Sequence, residues 1–199
     1  MPGRVPSAAT ASTDFAALCS ALDELSVPDG FRAEITRGTL LISPWLPAYC
    51  LTVMDLVCEQ LRVRLPTGHL ISSAPLLYVF PSVERAFGPD IHVADARSRE
   101  TTGTRLDGEA LSLVAELSSP STREDDLTDK VESYGRAGVP VYLLLDMQEQ
   151  SAIVHWTPTA KGYASHLAVP FGEKLWIPAP FDCALDTSGF EPPVEDKRG

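Results

Sequence analysis

The sequence predicts an α/β protein of the mixed-sheet kind, a β-sheet flanked by helices, and three observations predict it. Two apolar runs, residues 111–118 and 140–146, lack the polar-apolar alternation of a half-exposed strand, so each reads as a strand covered on both faces. Between them, Ser121 or Thr122 caps a helix over residues 123–136 that Gly138 stops, which makes a βαβ-type crossover. Short β-rich segments on both sides of this unit supply further strands.

Each element has a local cause. Residues 1–12, rich in Pro, Ala, Ser and Thr, read as a disordered tail. Thr13 and Asp14 then offer capping oxygens to an amphipathic helix through Leu25, with Phe15, Leu18, Leu22 and Leu25 on one stripe. Residues 31–42 form a hairpin around Arg37-Gly38, where glycine takes the positive φ of a tight turn. Over residues 48–64, Tyr49, Val53, Leu56, Val57 and Leu61 recur at helical spacing, so this helix packs on the sheet. Residues 69–72, 76–80 and 90–94 are short strands, and 95–109 is a polar loop. Residues 152–156, 163–169 and 174–177 form an antiparallel C-terminal β-meander, and 191–199 a disordered acidic tail. No repeat or linker divides the chain, so residues 13–190 are expected to be one domain.

Composition narrows the function. A chain of 199 residues, 44% of them hydrophobic, is large enough for one substantial core. Its net charge of -11 repels polyanions at long range, which weighs against a passive DNA-binding module and makes any nucleic-acid contact depend on a local basic patch or bound metal. Cys19, Cys50, Cys58 and Cys183 form no CxxC pair and no zinc-type spacing with His69, His92, His155 or His166, so they read as reduced thiols. With no signal-like or membrane-length apolar run, a soluble cytoplasmic protein is expected. No G-x-S-x-G, Walker, G-x-G-x-x-G or H-E-x-x-H motif is present. Trp45, Trp156 and Trp176 stand singly, so no aromatic platform for stacking bases is legible.

The chemistry concentrates in three segments. Asp90 opens one apolar run and Glu116 sits inside another, where a carboxylate is costly unless something compensates it. A divalent cation would do so. Glu116 has no turn or capping role between Ala115 and Leu117, and on a strand it shares its side with Ser118. On the following helix Leu127, Lys130, Val131 and Tyr134 form the stripe that faces the sheet, so the Lys130 ammonium needs a partner, and Glu116 is within reach. Bland alternatives stand beside these readings: Asp126 and Lys130 as an i,i+4 pair on a solvated face, and Asp90 as a turn residue after Gly88-Pro89. His92 shares a strand face with Asp90, although a lone histidine is usually structural.

Pro89-Asp90, Glu116-Leu117-Ser118-Ser119-Pro120-Ser121-Thr122, Asp126-Leu127-Thr128-Asp129-Lys130, Tyr134, Ala137-Gly138-Val139-Pro140, Tyr142 and Leu145-Asp146 together resemble the Uma-two family of restriction endonucleases, placed in the PD-(D/E)XK nuclease superfamily. The resemblance implies a restriction-endonuclease-like core and a metal-dependent endonuclease acting on phosphodiester bonds of nucleic acid, DNA above all. It implies Asp90 and Glu116 as ligands of Mg²⁺ or Mn²⁺, and Lys130 as a basic residue that has migrated from the superfamily position, here Ser118. Glu34 matches the family's first acidic position. Arg97, Arg99, Arg105 and Arg123 are candidates for phosphate contacts at the rim, and cutting both strands of a duplex would suit a homodimer. Where the family has a histidine at the start of the long helix, this chain has Tyr49. That departure leaves open a catalytically impaired nuclease fold with a binding or assembly role.

Overall fold

The computed structural model describes residues 8–193; residues 1–7 and 194–199, which carry most of the two expected tails, lie outside it. Two sheets face each other. The larger has six strands in the order β11-β10-β9-β8-β6-β3: β3 (His69–Ser72), β6 (Ile91–Asp95), β8 (Leu111–Leu117), β9 (Val141–Asp146), β10 (Ser151–Thr159) and β11 (Gly162–Pro170). The smaller has five strands in the order β2-β1-β5-β4-β7: β1 (Phe31–Thr36), β2 (Thr39–Pro44), β4 (Leu77–Phe80), β5 (Arg85–Phe87) and β7 (Arg105–Asp107). The strands β8 and β9 run parallel at the centre of the larger sheet, and every residue of both is buried. Absence of alternation in their sequences is thereby accounted for.

Side-chain parity sorts the core into layers. Leu113, Ala115 and Leu117 of β8 and Val141, Leu143 and Leu145 of β9 point to one face. There they meet α2 (Tyr49–Arg62) and the ribbon of β12 (Lys174–Ile177) with β13 (Cys183–Asp186). Val114, Tyr142 and Leu144 point the other way, toward Tyr78, Phe80 and Phe87 of the smaller sheet and Tyr134. Residues of opposite parity in the smaller sheet, Ile35, Leu77, Val79 and Ala86, pack under α1 (Ala8–Glu24) through Phe15, Leu18, Cys19 and Leu22. The inter-sheet layer is where the ionisable residues meet.

Several elements differ from the sequence reading, each for a local reason. The helix begins upstream of Thr13, at Ala8. The helix expected over residues 123–136 is broken at Thr128 (φ -125°, ψ -77°) into α3 (Arg123–Leu127) and α4 (Asp129–Arg136). There the Thr128 hydroxyl donates to the Glu124 carbonyl at 2.7 Å, a local bond that competes with the helix ladder. Thr122 caps without its side chain, because its hydroxyl instead accepts from the Ser119 N–H at 3.1 Å. The strands β5 and β7 are too short to announce themselves, and β7 lies in the stretch read as loop. The C-terminal strands β10 and β11 pair antiparallel as expected and extend the larger sheet, whereas β12 leaves them to pair with β13. In the hairpin, Arg37 joins Gly38 at positive φ, held there by the Asp129 carboxylate at 3.2 Å. All four cysteines are buried and free. Among the described residues no helix is long and apolar enough to cross a membrane.

One close approach fixes α4 against the β10–β11 hairpin. A Cβ at Gly135 would lie 2.6 Å from the Gly162 Cα, backbone that has no room to retreat. Gly135→Ala is therefore expected to lower stability by about 2 kcal/mol or more, read from the urea midpoint. An unchanged midpoint would show that α4 can move away from the hairpin freely.

Candidate active site

Parity on three strands and one helix face delivers the charged side chains to one place. Glu116 shares its side of β8 with Val114, so it points into the inter-sheet layer, and it is fully buried. Glu34 lies on β1 between Ala33 and Ile35; Ile35 faces α1, which turns Arg32, Glu34 and Thr36 toward the same layer. Asp90 precedes β6, and Lys130 occupies the sheet-facing stripe of α4 and is 2% exposed.

The contacts are short and shared. Lys130 Nζ lies 2.9 Å from Glu116 Oε1, 3.1 Å from Asp126 Oδ1 and 3.6 Å from Glu34 Oε2. Tyr134 donates its hydroxyl to the same Glu116 Oε1 at 2.8 Å. Arg32 Nη1 donates to Asp90 Oδ1 at 2.7 Å and to the Gly88 carbonyl at 3.0 Å, while its Nη2 lies 3.9 Å from Glu116 Oε2. Asp90 Oδ2 accepts from the Leu117 backbone N–H at 2.8 Å, which ties β8 to the Asp90 carboxylate. Glu34 Oε1 accepts from the Gly88 N–H at 2.7 Å and anchors the Gly88-Pro89 turn. Glu34, Asp90, Glu116 and Lys130 thus converge, joined by Arg32 and Asp126.

Asp126 and Lys130 do form the i,i+4 pair, but inside the protein rather than on a solvated face. Arg32, Asp126 and Tyr134 were not singled out as site residues by sequence reasoning. Asp126 and Tyr134 sit four residues on either side of Lys130, a spacing that puts all three on one helical face. Arg32 carried a weaker signal, its i,i+2 spacing from Glu34 on a strand.

Electrostatics follow from burial and partner count. Burial pushes the Glu116 carboxyl up to about 8; Lys130 opposes this, and Asp90, Asp126 and Glu34 reinforce it. Asp90 is also raised by burial, against the pull of Arg32, the Leu117 N–H and Lys130. Burial would lower Lys130, but Glu116, Glu34 and Asp126 outweigh it and hold the ammonium charged. Glu116 Oε2 and Arg32 Nε are buried without a hydrogen-bond partner.

The cluster opens through Arg32, Glu34 and Asp90 onto a pocket of about 690 Å³. Its remaining wall is largely apolar and includes Trp45, Leu46, Leu51, Met54, Leu76 and Leu77. The four arginines expected at the rim do not line it. Arg97 pairs with Asp95 at 2.6 Å, Arg105 with Asp23 at 2.7 Å and Arg123 with Asp146 at 2.8 Å, while Arg99 is exposed. His92 packs on the Tyr78 ring 5.2 Å away, and burial holds its imidazole down to about 4, so it stands as a neutral core residue. Tyr49 packs half-buried against the apolar core under α2. Ser118 Oγ lies 3.2 Å from Asp146 Oδ1 and from Gln148 Oε1, either of which can accept its proton, and serves the end of β8 rather than the cluster.

Among the described residues no three His, Cys, Asp or Glu side chains are already gathered as ligands of one ion. The residues present nonetheless fit a hard divalent cation. Their donors are all carboxylate oxygens, and Glu116 Oε2 accepts no hydrogen bond.

The fold is similar to that of a crystal structure described as a “putative nuclease belonging to DUF820 from Anabaena variabilis ATCC 29413”, with a TM-score of 0.58 and 18% identity over 81% of this chain and 90% of that one. The likeness establishes the restriction-endonuclease-like architecture. No curated protein matches the chain. Residues 13–188 match the Uma2 family, described as “Putative restriction endonuclease”, and the chain belongs to that family.

Proposed function

We propose that this protein is a metal-dependent endonuclease that hydrolyses phosphodiester bonds of nucleic acid, DNA in particular, with Mg²⁺ or Mn²⁺ held by Asp90 and Glu116. The observation that carries the reading is the charge imbalance of the buried cluster. Four carboxyl groups, on Glu34, Asp90, Glu116 and Asp126, meet two cations, Arg32 and Lys130. Two formal negative charges are left over in a place where unpaired charge is costly. A proton on Glu116 removes part of that excess, and a divalent cation would remove all of it.

When bound, the cation supplies Lewis acidity toward a phosphate oxygen and lowers the pKa of a water. The chain's own groups do the rest. Glu116 is oriented by the Tyr134 hydroxyl and by Lys130, and Asp90 by the Leu117 N–H, so both carboxylates are held rigidly before substrate arrives. Lys130, kept charged by three carboxylates, offsets negative charge that develops in the transition state and orients the attacking water. Glu34 holds both Lys130 and the Gly88 turn, a positioning role. Arg32 is the cluster cation nearest solvent, its side chain 10% exposed against 3% for Lys130, so an entering phosphate meets it first.

A second reading, a nuclease fold retained for binding or assembly, is favoured by one observation. Arg32 already bridges Asp90 and Glu116, so the metal-free cluster is partly self-compensated.

Glu116→Gln and Asp90→Asn should each reduce Mg²⁺- or Mn²⁺-dependent cleavage of plasmid, single-stranded and structured DNA by more than about a hundredfold. Cleavage equal to that of the native protein would sink the nuclease reading, and tight Mn²⁺ binding without any cleavage would favour the second. Lys130→Met strands three carboxylates, and a loss of about 3–5 kcal/mol is expected in chemical denaturation. A near-native midpoint would mean that water or protons already neutralise them.

Folding raises the Glu116 pKa from near 4.5 to about 8, so between those values the native state keeps a proton that the unfolded chain has released. The resulting stability is complete below about pH 4.5 and is lost as the pH rises through about 8. Metal-free protein should therefore lose stability across that window. Millimolar Mg²⁺ should flatten the loss in the native protein, whereas Glu116→Gln, which lacks the titrating carboxyl, should show neither that loss nor the Mg²⁺ effect, as measured by thermal melts.

A further inference from the structure

The pocket beside the carboxylate cluster has a wall that the nuclease chemistry does not require. Trp45 is 48% exposed and Leu51 60% exposed, and both line the pocket together with Leu46, Met54 and Leu76. Trp45 is not a loose surface residue. It follows β2 directly, and its backbone N–H donates to the Gly30 carbonyl at 2.9 Å, which fixes it at the open end of the hairpin. Arg32, Glu34 and Asp90 belong at once to this pocket and to the buried cluster, so whatever fills the apolar part lies next to the carboxylates.

A duplex is a poor occupant. Its affinity comes mainly from lysines and arginines on phosphates, and it hides the ring faces of its bases. The protein carries a net charge of -11, and among the described residues Arg32 is the single cation that lines the pocket, too few for the many phosphates of a duplex. An unpaired nucleotide has what the pocket can hold: a flat apolar face for Trp45, aliphatic contact for Leu51 and Met54, and a single adjoining phosphate for Arg32. A volume of about 690 Å³ lies within the size range of a site for a small molecule or one extruded residue of a polymer.

We infer that this pocket receives an unpaired base of single-stranded nucleic acid, stacked against Trp45, with the neighbouring phosphate at Arg32. The inference rests on the nuclease reading for its choice of nucleic acid as ligand. It assigns the substrate class as single strands, or the unpaired nucleotides of structured nucleic acid, rather than continuous duplex.

The test is fluorescence anisotropy of a short labelled single strand and of the same sequence as a duplex, with Ca²⁺ in place of Mg²⁺. It compares the native protein with Trp45→Ala and Leu51→Glu. Both positions are substantially exposed, and thermal melts confirm that the variants fold. Single-strand binding should exceed duplex binding by about tenfold, and each substitution should weaken it by about tenfold. Equal or tighter duplex binding, or indifference to Trp45→Ala, overturns the inference. A dimer in sedimentation that Leu51→Glu dissociates, with oligonucleotide binding unchanged, also overturns it, because a second copy would then cover the pocket. The two readings fail separately. Duplex cleavage that Glu116→Gln abolishes and Trp45→Ala leaves intact keeps the nuclease and removes the base pocket. Trp45-dependent single-strand binding without cleavage under any divalent metal keeps the pocket and removes the nuclease.

Discussion

The compensation of buried negative charge between the two sheets is the constraint on which the rest of this structure depends. Carboxylates from β1, β8, α3 and the turn before β6 are withdrawn from water into one layer, and among the described residues only the cations of Lys130 and Arg32 answer them. Each contact there joins elements that are distant in sequence. Asp90 caps the Leu117 N–H, Glu34 holds the Gly88 turn, and Tyr134 reaches Glu116 from α4. The cluster therefore acts as a structural clamp between the sheets as well as a concentration of reactive groups. Buried ion clusters are often no more stabilising than apolar side chains of the same volume. Retaining an excess of acid where it is costly is what a site built for a cation and a phosphate would do.

A second ionic layer supports the first from outside. Asp129, next to Lys130, accepts hydrogen bonds from Thr36, Arg37 and Arg85 and is thereby held below the usual carboxylate range, even though burial opposes this. Thr36 and Arg37 belong to the β1–β2 hairpin that also presents Arg32 and Glu34, so these bonds fix the hairpin over the start of α4. The break in the helix at Thr128 serves the same geometry. It separates Asp126 from Asp129 into two helical segments, yet both remain within reach of their cations.

Around this polar centre the protein is apolar on one side and acidic at large. The pocket adjoining the cluster is walled by aliphatic residues and Trp45, while Arg97, Arg105 and Arg123 are engaged by neighbouring acids. Affinity for a polyanion would then come from the proposed cation site, Arg32 and apolar contact, since a net charge of -11 offers no long-range attraction.

Much of the fold was legible because it rests on local chemistry. Unbroken apolar runs at β8 and β9 and the glycine after α4 report burial and chain reversal directly, whereas the capping oxygens read before α3 bond Ser119 instead of the helix. Glu116 and Lys130 were legible for a related reason: a charge on an otherwise apolar strand or helix face needs a partner, and the sequence alone shows the need. Sequence could not name every partner. Arg32 reads as an ordinary hairpin residue until strand pairing places β1 beside β5 and turns its guanidinium toward Asp90. Strands such as β5 and β7 owe their conformation to neighbours far along the chain, and so does the wall that joins Trp45 to Leu51 and Leu76. The sequence by itself determined which segments must be buried and which charges required compensation, because these follow from period and polarity within a few residues. Tertiary structure alone decided which groups supply that compensation and what lies beside them, because those contacts form between segments whose separation no local pattern encodes.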